Sequence, residues 1–430
     1  METSKTIDPV VRQGLCTGCG TCAAICSAIA MLVDHRKGIY VPQIDKAGCN
    51  ECGLCFEVCP GRSVDFARLS SSVFGRPAED SLMGHYLGCY TGHATNHDIR
   101  YNSASGGMIT ALLVFALEKG LIDGALVTRM SPARPLEPEP VIATSREGII
   151  AAAKSKYCPV PANIAVKQIL EQSGRYAVAG LPCHIHGIRK AELRNKKLRD
   201  RIALHLGIVC SHTDSFRMTD LVLRKYKVNK DDIAGLHYRG EGWPGSMSIQ
   251  LKDGSRQLVP LHDYIVYHRF GFFTPRRCVF CLDRNADLAD ISSGDAWLPD
   301  ISARDKVGTS LVVSRSEAGR ALLEQAVAGN YIQLEERDAR TLRQGAAGKR
   351  RRAGYRLRLS RLFGRPVPED NPGPLPPEFD DRLWGSLNLL NVMVSSSPFL
   401  RRFVDSLLRL EQPVATWLSK AASHALDRRG

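Results

Sequence analysis

CTGCGTCAAIC (residues 16–26) and CNECGLCFEVCP (residues 49–60) each set four cysteines in the order C-x2-C-x2-C-x3-C. Three thiolates on one tight loop can each meet a different iron of a cube. The fourth, one helical turn further on, points the other way and closes a neighbouring cube. On that geometry Cys16, Cys19, Cys22 and Cys59 hold one [4Fe-4S] cluster, and Cys49, Cys52, Cys55 and Cys26 hold a second. Gly18, Gly20 and Gly53 let the backbone approach the inorganic sulfides and donate N–H bonds to them. Zinc in all-cysteine tetrahedral sites is the competing reading, but zinc fingers space their ligand pairs further apart. Between the runs, MLVDHRKGIYVPQID (residues 31–45) reads as a hairpin, two short apolar strands around a polar HRKG turn.

Both runs follow the bacterial ferredoxin pattern, which makes residues 1–68 an α+β ferredoxin-like module. Ser27 stands where that pattern usually has proline, which loosens one turn and removes no ligand. The chain has 430 residues and 44% apolar content, enough for two or three packed domains. METSKTIDPVVRQGLC has no apolar core segment of the secretory kind, and the longest apolar runs are broken by charge before they could span a bilayer. A reducing cytoplasm is therefore expected, where close cysteine pairs favour metal or redox chemistry over disulfides.

The α/β core is read from residues 80–325, as an N-terminal part (80–155) and a C-terminal part (156–325). RYNSASGGMITALLVFALEKGLIDGALVTRM (residues 100–130) contains a Ser/Gly-rich loop, a helix with an apolar face, a glycine stop at Gly120 and the strand GALVT. A loop feeding a helix N-terminus suits a flavin phosphate, and equally a plain glycine-rich turn. Further on, a helix over 161–172 leads to the strand RYAVAG and the turn LPCHIHG, where Gly180 and Cys183 sit at a strand's carboxyl end. The strand RIALHLGIVC ends at Cys210 in the same way, and CVFC supplies Cys278 and Cys281. These four are the candidate ligands of a third iron–sulfur site, against the reading that Cys183 and Cys210 are buried thiols and the pair binds zinc or nothing. His184 and His186, with His205 and His212, are candidate proton donors at the same strand ends.

SASGGMITALL, SKY, GLPCHIHGI, LGIVC, HYRGEGWPG and CVFCLDRNADLADISSGDAW occur in this order. Together they resemble the coenzyme F420 hydrogenase/dehydrogenase beta subunits, over roughly residues 80–320. The resemblance implies an iron–sulfur flavoprotein with FAD, passing electrons from clusters through the flavin to a deazaflavin or another hydride acceptor. It places Ser105, Gly106 and Gly107 in the flavin-side loop, Lys156 and Tyr157 in the SKY segment, and Asp290 and Asp295 after the ligand pair. Cys158 departs from the family pattern and reads as a buried thiol or an extra redox group.

The net charge of +14 is concentrated in KRRRAGYRLRLSRLFGR (residues 349–365), which holds eight Lys/Arg and no acid. A solvated basic face, or a surface for an acidic redox partner or anionic lipid, explains it. Its aromatic residues are not spaced for base stacking, so nucleic acid is not expected. Residues 326–377 read as a basic and proline-rich linker region, and 378–430 as a helical tail that docks on the core, on a partner or on a membrane surface. A ferredoxin or a larger oxidoreductase subunit is the expected redox partner. A non-catalytic electron-transfer subunit is the alternative function.

Overall fold

The computed structural model describes residues 5–370, 373, 375–397, 399, 400 and 404. In the N-terminal module, α1 (Thr21–Ile25) and α2 (Leu54–Glu57) each start behind a left-handed glycine, Gly20 (φ 86°) and Gly53 (φ 82°). Only glycine takes that conformation without strain, so each cysteine loop can turn straight into its helix. Between them lies the expected hairpin, β1 (Ile29–Asp34) and β2 (Ile39–Ile44), antiparallel with Ile29 opposite Ile44. The Asp34 carboxylate closes its turn, accepting the Arg36 and Lys37 N–H groups at 3.0 and 3.1 Å.

Five strands follow: β3 (Gly88–Ala94), β4 (Gly124–Met130), β5 (Pro138–Ala143), β6 (Tyr176–Gly180) and β7 (Ile202–Ile208). A three-stranded antiparallel sheet comes next, β8 (Ile233–His237), β9 (Ser246–Leu251) and β10 (Arg256–Pro260). Three more strands, β11 (Ile291–Asp295), β12 (Ser310–Ser314) and β13 (Ile332–Glu336), return to the first five. The resulting sheet has the order β13-β3-β12-β11-β7-β6-β4-β5. Its centre, β11, β7, β6 and β4, is parallel. Its flanks are antiparallel, so the core is a mixed α/β sheet.

The SGG loop feeds α3 (Met108–Glu118), and α4 (Pro182–Glu192) follows β6. The sequence suggests one apolar face for α3, yet the helix is buried nearly all round. Leu112, Leu113, Val114 and Phe115 are each at most 2% exposed, packed against the sheet and α5 (Glu317–Ala328). Each such side chain contributes about 1.5–3 kcal/mol of apolar burial. The helix expected over 161–172 forms as a tight turn, Ala162–Ala165, running into a helix, Val166–Glu171.

The expectation of a linker over 326–377 is overturned. Those residues contain β13 and the 23-residue helix α6 (Arg340–Leu362). The basic run sits on α6, and Lys349, Arg352 and Arg356 reach backbone carbonyls and side chains of the protein instead of only solvent. The proline-rich stretch folds back on the N-terminal module. The Glu369 N–H donates to the Arg62 carbonyl at 3.0 Å, and the Asp370 carboxylate accepts the Val64 N–H at 2.8 Å. Of the expected tail, α7 (Phe379–Ser396) packs against α6; the second amphipathic stretch, 399–410, lies almost wholly outside the described residues. Among the described residues, no helix is long and apolar enough to cross a membrane.

Candidate metal and cofactor site

Parallel pairing of β6 with β7 brings their carboxyl ends side by side. Cys183 lies in the first turn of α4, after β6. Cys210 follows β7, its N–H donating to the Arg284 carbonyl at 2.8 Å. Cys278 and Cys281 are joined by a tight turn in which the Cys281 N–H donates to the Cys278 carbonyl at 3.2 Å. All fourteen cysteines are free thiols.

The electrostatics group these thiols. Burial raises Cys183 well above the usual thiol range, and the like charges of Cys19, Cys278, Cys210 and Cys281 raise it further. Burial lifts Cys210 to about 12 and Cys278 to about 11, with Cys281 adding to both. In the N-terminal module, burial raises Cys22 well above the usual range, with Cys19, Cys16, Cys59 and Cys55 adding. Cys55 is raised by burial too, with Cys26 and Cys52 among its neighbours. The structure thus gathers Cys16, Cys19, Cys22 and Cys59 in one place, Cys26, Cys52 and Cys55 in a second, and Cys183, Cys210, Cys278 and Cys281 in a third. Buried thiols crowded in this way suit a metal that displaces their protons, and that gain offsets the cost of gathering the charges. The Gly18 N–H donates to the Cys16 sulfur at 3.3 Å, the kind of bond that tunes an iron-bound thiolate.

The first and third groups are bridged by hydrogen bonds. The Cys19 sulfur lies 3.3 Å from the Thr21 hydroxyl. Asn163 donates to that hydroxyl at 2.7 Å and to the His184 carbonyl at 2.9 Å. Gly187 on α4 fits because it lacks a side chain: a Cβ there would lie 2.1 Å from the Thr21 hydroxyl.

The structure uses several expected site residues for support. The His184 imidazole lies 3.0 Å from the Val160 carbonyl through Nε2 and accepts the Leu181 N–H through Nδ1 at 3.1 Å; burial lowers its pKa to about 4. His186 is buried, 2.7 Å from the Asp283 carboxylate, with its ring edge-on to Phe66. Neither faces open space, so the expectation of a proton donor at either position is corrected to a structural one. Asp290 is likewise spent: its oxygens meet Ser316, Arg189 and the His205 N–H. Burial opposes its charge, but Arg189 and His205 hold the carboxyl well below the usual range. Gly180 gives His184 room to fold back, a Cβ there falling 2.8 Å from the His184 Cβ. In the SGG loop the Ser105 hydroxyl donates to the Thr309 carbonyl and the Gly106 N–H to the Ser310 hydroxyl, both at 3.0 Å, while Gly107 (φ 74°) starts α3. Cys158 is a buried thiol raised by burial to about 12.

Lys156 places its ammonium on the Ala152, Ala153 and Lys154 carbonyls. Tyr157 accepts from Arg239 at 3.2 Å, and Arg239 in turn pairs with Asp295 at 2.8 Å. The Trp243 indole N–H donates to the same carboxylate at 3.0 Å, and its ring lies 4.3 Å from that of the half-exposed Trp297. Arg239 stands inside HYRGEGWPG and its role was not legible there, because Asp295 lies far along the chain. Lys154 was also missed. It is half-buried and its ammonium makes no hydrogen bond or ion pair among the described residues; burial and Arg256 lower its pKa. An unpaired lysine beside Lys156 and Tyr157 fits the anionic end of a dinucleotide. Next to this network the His212 and His268 rings stack at 3.7 Å, and His268 pairs with Asp214 at 2.6 Å.

Family models for the coenzyme F420 hydrogenase/dehydrogenase beta subunit match the N-terminal part over residues 89–167 and the C-terminal part over 173–340. A 4Fe-4S dicluster domain matches residues 15–62. The beta subunit of coenzyme F420 hydrogenase from Methanosarcina barkeri is 29% identical over 262 residues, 60% of this chain and 84% of that one. The coenzyme F420-dependent sulfite reductase of Methanocaldococcus jannaschii is 26% identical over 351 residues, 77% of this chain and 49% of that one. Among solved structures, the F420-reducing [NiFe] hydrogenase complex from Methanosarcina barkeri contains a chain with TM-score 0.54 and 26% identity, covering 66% of this chain and 96% of that one.

Proposed function

The chain belongs to the coenzyme F420 hydrogenase/dehydrogenase beta-subunit family, and on that premise we propose an iron–sulfur flavoprotein oxidoreductase that passes electrons between [4Fe-4S] clusters and FAD and on to a hydride acceptor. The acceptor is coenzyme F420 or another small molecule. The observation that carries this is the bridge by Asn163, which bonds to the Cys19 carbonyl and the Thr21 hydroxyl on one side and to the His184 carbonyl, next to Cys183, on the other: the ferredoxin-like module and the core meet beside their cysteines. Bound FAD supplies exchange between single electrons and a hydride, and the protein supplies its position and electrostatics. Cys16, Cys19, Cys22 and Cys59 hold the inner cluster of the module, Cys49, Cys52, Cys55 and Cys26 the outer one, and Cys183, Cys210, Cys278 and Cys281 the cluster of the core. Lys154, with Gly107 at the start of α3, holds the phosphate end of FAD, while Tyr157, Arg239, Asp295 and Trp243 form one fixed wall of its pocket.

An anaerobic iron, sulfide and flavin count tests this. About twelve irons, three cubes, and one FAD are expected, and Cys183→Ser removes about four irons. About eight irons without flavin would sink the proposal. A second reading, an electron-transfer subunit of a larger redox complex, is favoured by relatives such as the coenzyme F420 hydrogenase beta subunit, which is named as a subunit. The isolated chain separates the two: the enzyme reduces coenzyme F420 or a flavin-accepting dye with a low-potential donor, and the relay reduces neither.

A further inference from the structure

A cavity of about 300 Å³ opens beside Cys278 and Cys281, closed on its far side by α6 and α7. Arg284, Lys349, Arg352 and Arg356 all line it, and no carboxylate does among the described residues. Lys349 is fixed by the Cys210 and Asp283 carbonyls at 2.7 and 2.8 Å. Arg356 is fixed by the Val279 carbonyl at 3.1 Å and the Asn388 amide oxygen at 2.7 Å. Arg352 reaches Asp381, behind the wall, at 3.2 Å. The Arg284 guanidinium makes no hydrogen bond or ion pair among the described residues, although its backbone carbonyl accepts the Cys210 N–H. The Thr274 hydroxyl, on the same lining, is buried without a partner. A half-buried guanidinium without a partner is costly, and a carboxylate or phosphate matches its fork of donors. The helical wall lies beyond residue 340, where the matched family core ends.

We propose that this cavity binds a small anion carrying a carboxylate or phosphate group, anchored by Arg284. The proposal does not depend on which molecule accepts the hydride. The anion's oxygens take the free donors of Arg284 and the Thr274 hydroxyl, with Lys349, Arg352 and Arg356 setting the field.

The test is isothermal titration of the full, iron-loaded chain at physiological salt, with inorganic phosphate in one arm and succinate in the other. Saturable one-to-one binding of either probe is expected, and the arm that binds names the group. Affinity falls about tenfold or more in Arg284→Gln, the loss of one charge-assisted contact, at unchanged iron content. Should Arg284→Gln lose its iron, Gly345→Asp gives the same reading. A Cβ at 345 lies 2.6 Å from Arg284 Nη1, so the new carboxylate pairs with the guanidinium and abolishes binding. No binding by either probe, or equal affinity in the variant, overturns the proposal. Binding by the iron-free chain alone also overturns it, because the space and its cations then serve the cluster. Iron and flavin counts are read separately, so failure here is distinct from failure of the proposed activity.

Discussion

Removing Arg277 should break the joint between the ferredoxin-like module, the Cys278 turn and the folded-back strap at 366–370. Arg277 is 4% exposed. It donates to the Gly61 and Pro60 carbonyls at 2.8 and 3.1 Å and pairs with Asp370 at 2.6 Å. Arg277→Met leaves a carboxylate buried at 3% exposure with only the Val64 N–H, and leaves two carbonyls unmet. Losing one partner of a buried pair costs about 3–5 kcal/mol. Asp370→Asn is milder, about 1.5–3 kcal/mol, because the amide oxygen still accepts from Val64 and the guanidinium keeps its carbonyls. In the double variant the stranded charge is gone, so the combined loss should fall short of the sum by about 2 kcal/mol. Anaerobic urea unfolding of the four proteins, followed by visible cluster absorbance, gives the cycle. Additivity within about 0.5 kcal/mol would refute the joint.

Three more perturbations follow from the geometry. Gly187→Ala forces a Cβ to within 2.1 Å of the Thr21 hydroxyl, and should cost about 1–3 kcal/mol in the same unfolding series; an unchanged midpoint would mean the two cysteine groups are not pressed together there. His205 lies between Glu192 at 2.7 Å and Asp290 at 3.2 Å. Burial and Arg189 oppose its proton, but Glu192 and Asp290 win and raise its pKa above the usual histidine value. The stability this contributes is therefore complete below about pH 6.5 and is lost as pH rises through the folded pKa, and His205→Gln should flatten that decline between pH 6 and 8.5. Lys154→Met should lower flavin occupancy after purification without changing iron content, and full occupancy would move the phosphate site elsewhere.

What could be read in the sequence was what local spacing carries. The cysteine runs, the hairpin and the strand-end positions of Cys183 and Cys210 depend on residues near one another, and the structure places them accordingly. The α/β core followed from βα alternation, but the pairing of β12 and β13 with β3 did not, because β3 lies more than two hundred residues away from them. The basic run misled for a related reason. Its main acceptors are backbone carbonyls of Cys210, Asp283 and Val279, which leave no mark on composition, so a helix facing inward looked like a solvated segment. His184 and His186 looked catalytic because they flank a ligand position. Their actual partners, Val160 and Asp283, lie 24 and 97 residues away.

Several ties between module and core fall beside the first cysteine group. Lys190 donates to the Cys59 and Ser63 carbonyls, both at 2.8 Å. The Asn163 N–H donates to the Cys19 carbonyl at 2.9 Å, and Arg277 holds Pro60 and Gly61. These bonds grip backbone at or beside Cys19 and Cys59, both of the first group. On the other side Cys52 is exposed and Cys49 and Cys26 are half-buried. The inner cysteine group is thus locked to the core at a fixed separation from Cys183, while the outer group faces solvent, where a protein donor can approach. A loosely tethered ferredoxin would leave both groups free to turn and would have no need of buried ties from Asn163, Lys190 and Arg277. Under the proposed function, their presence argues for an electron path fixed within one chain, between the exposed group and the core.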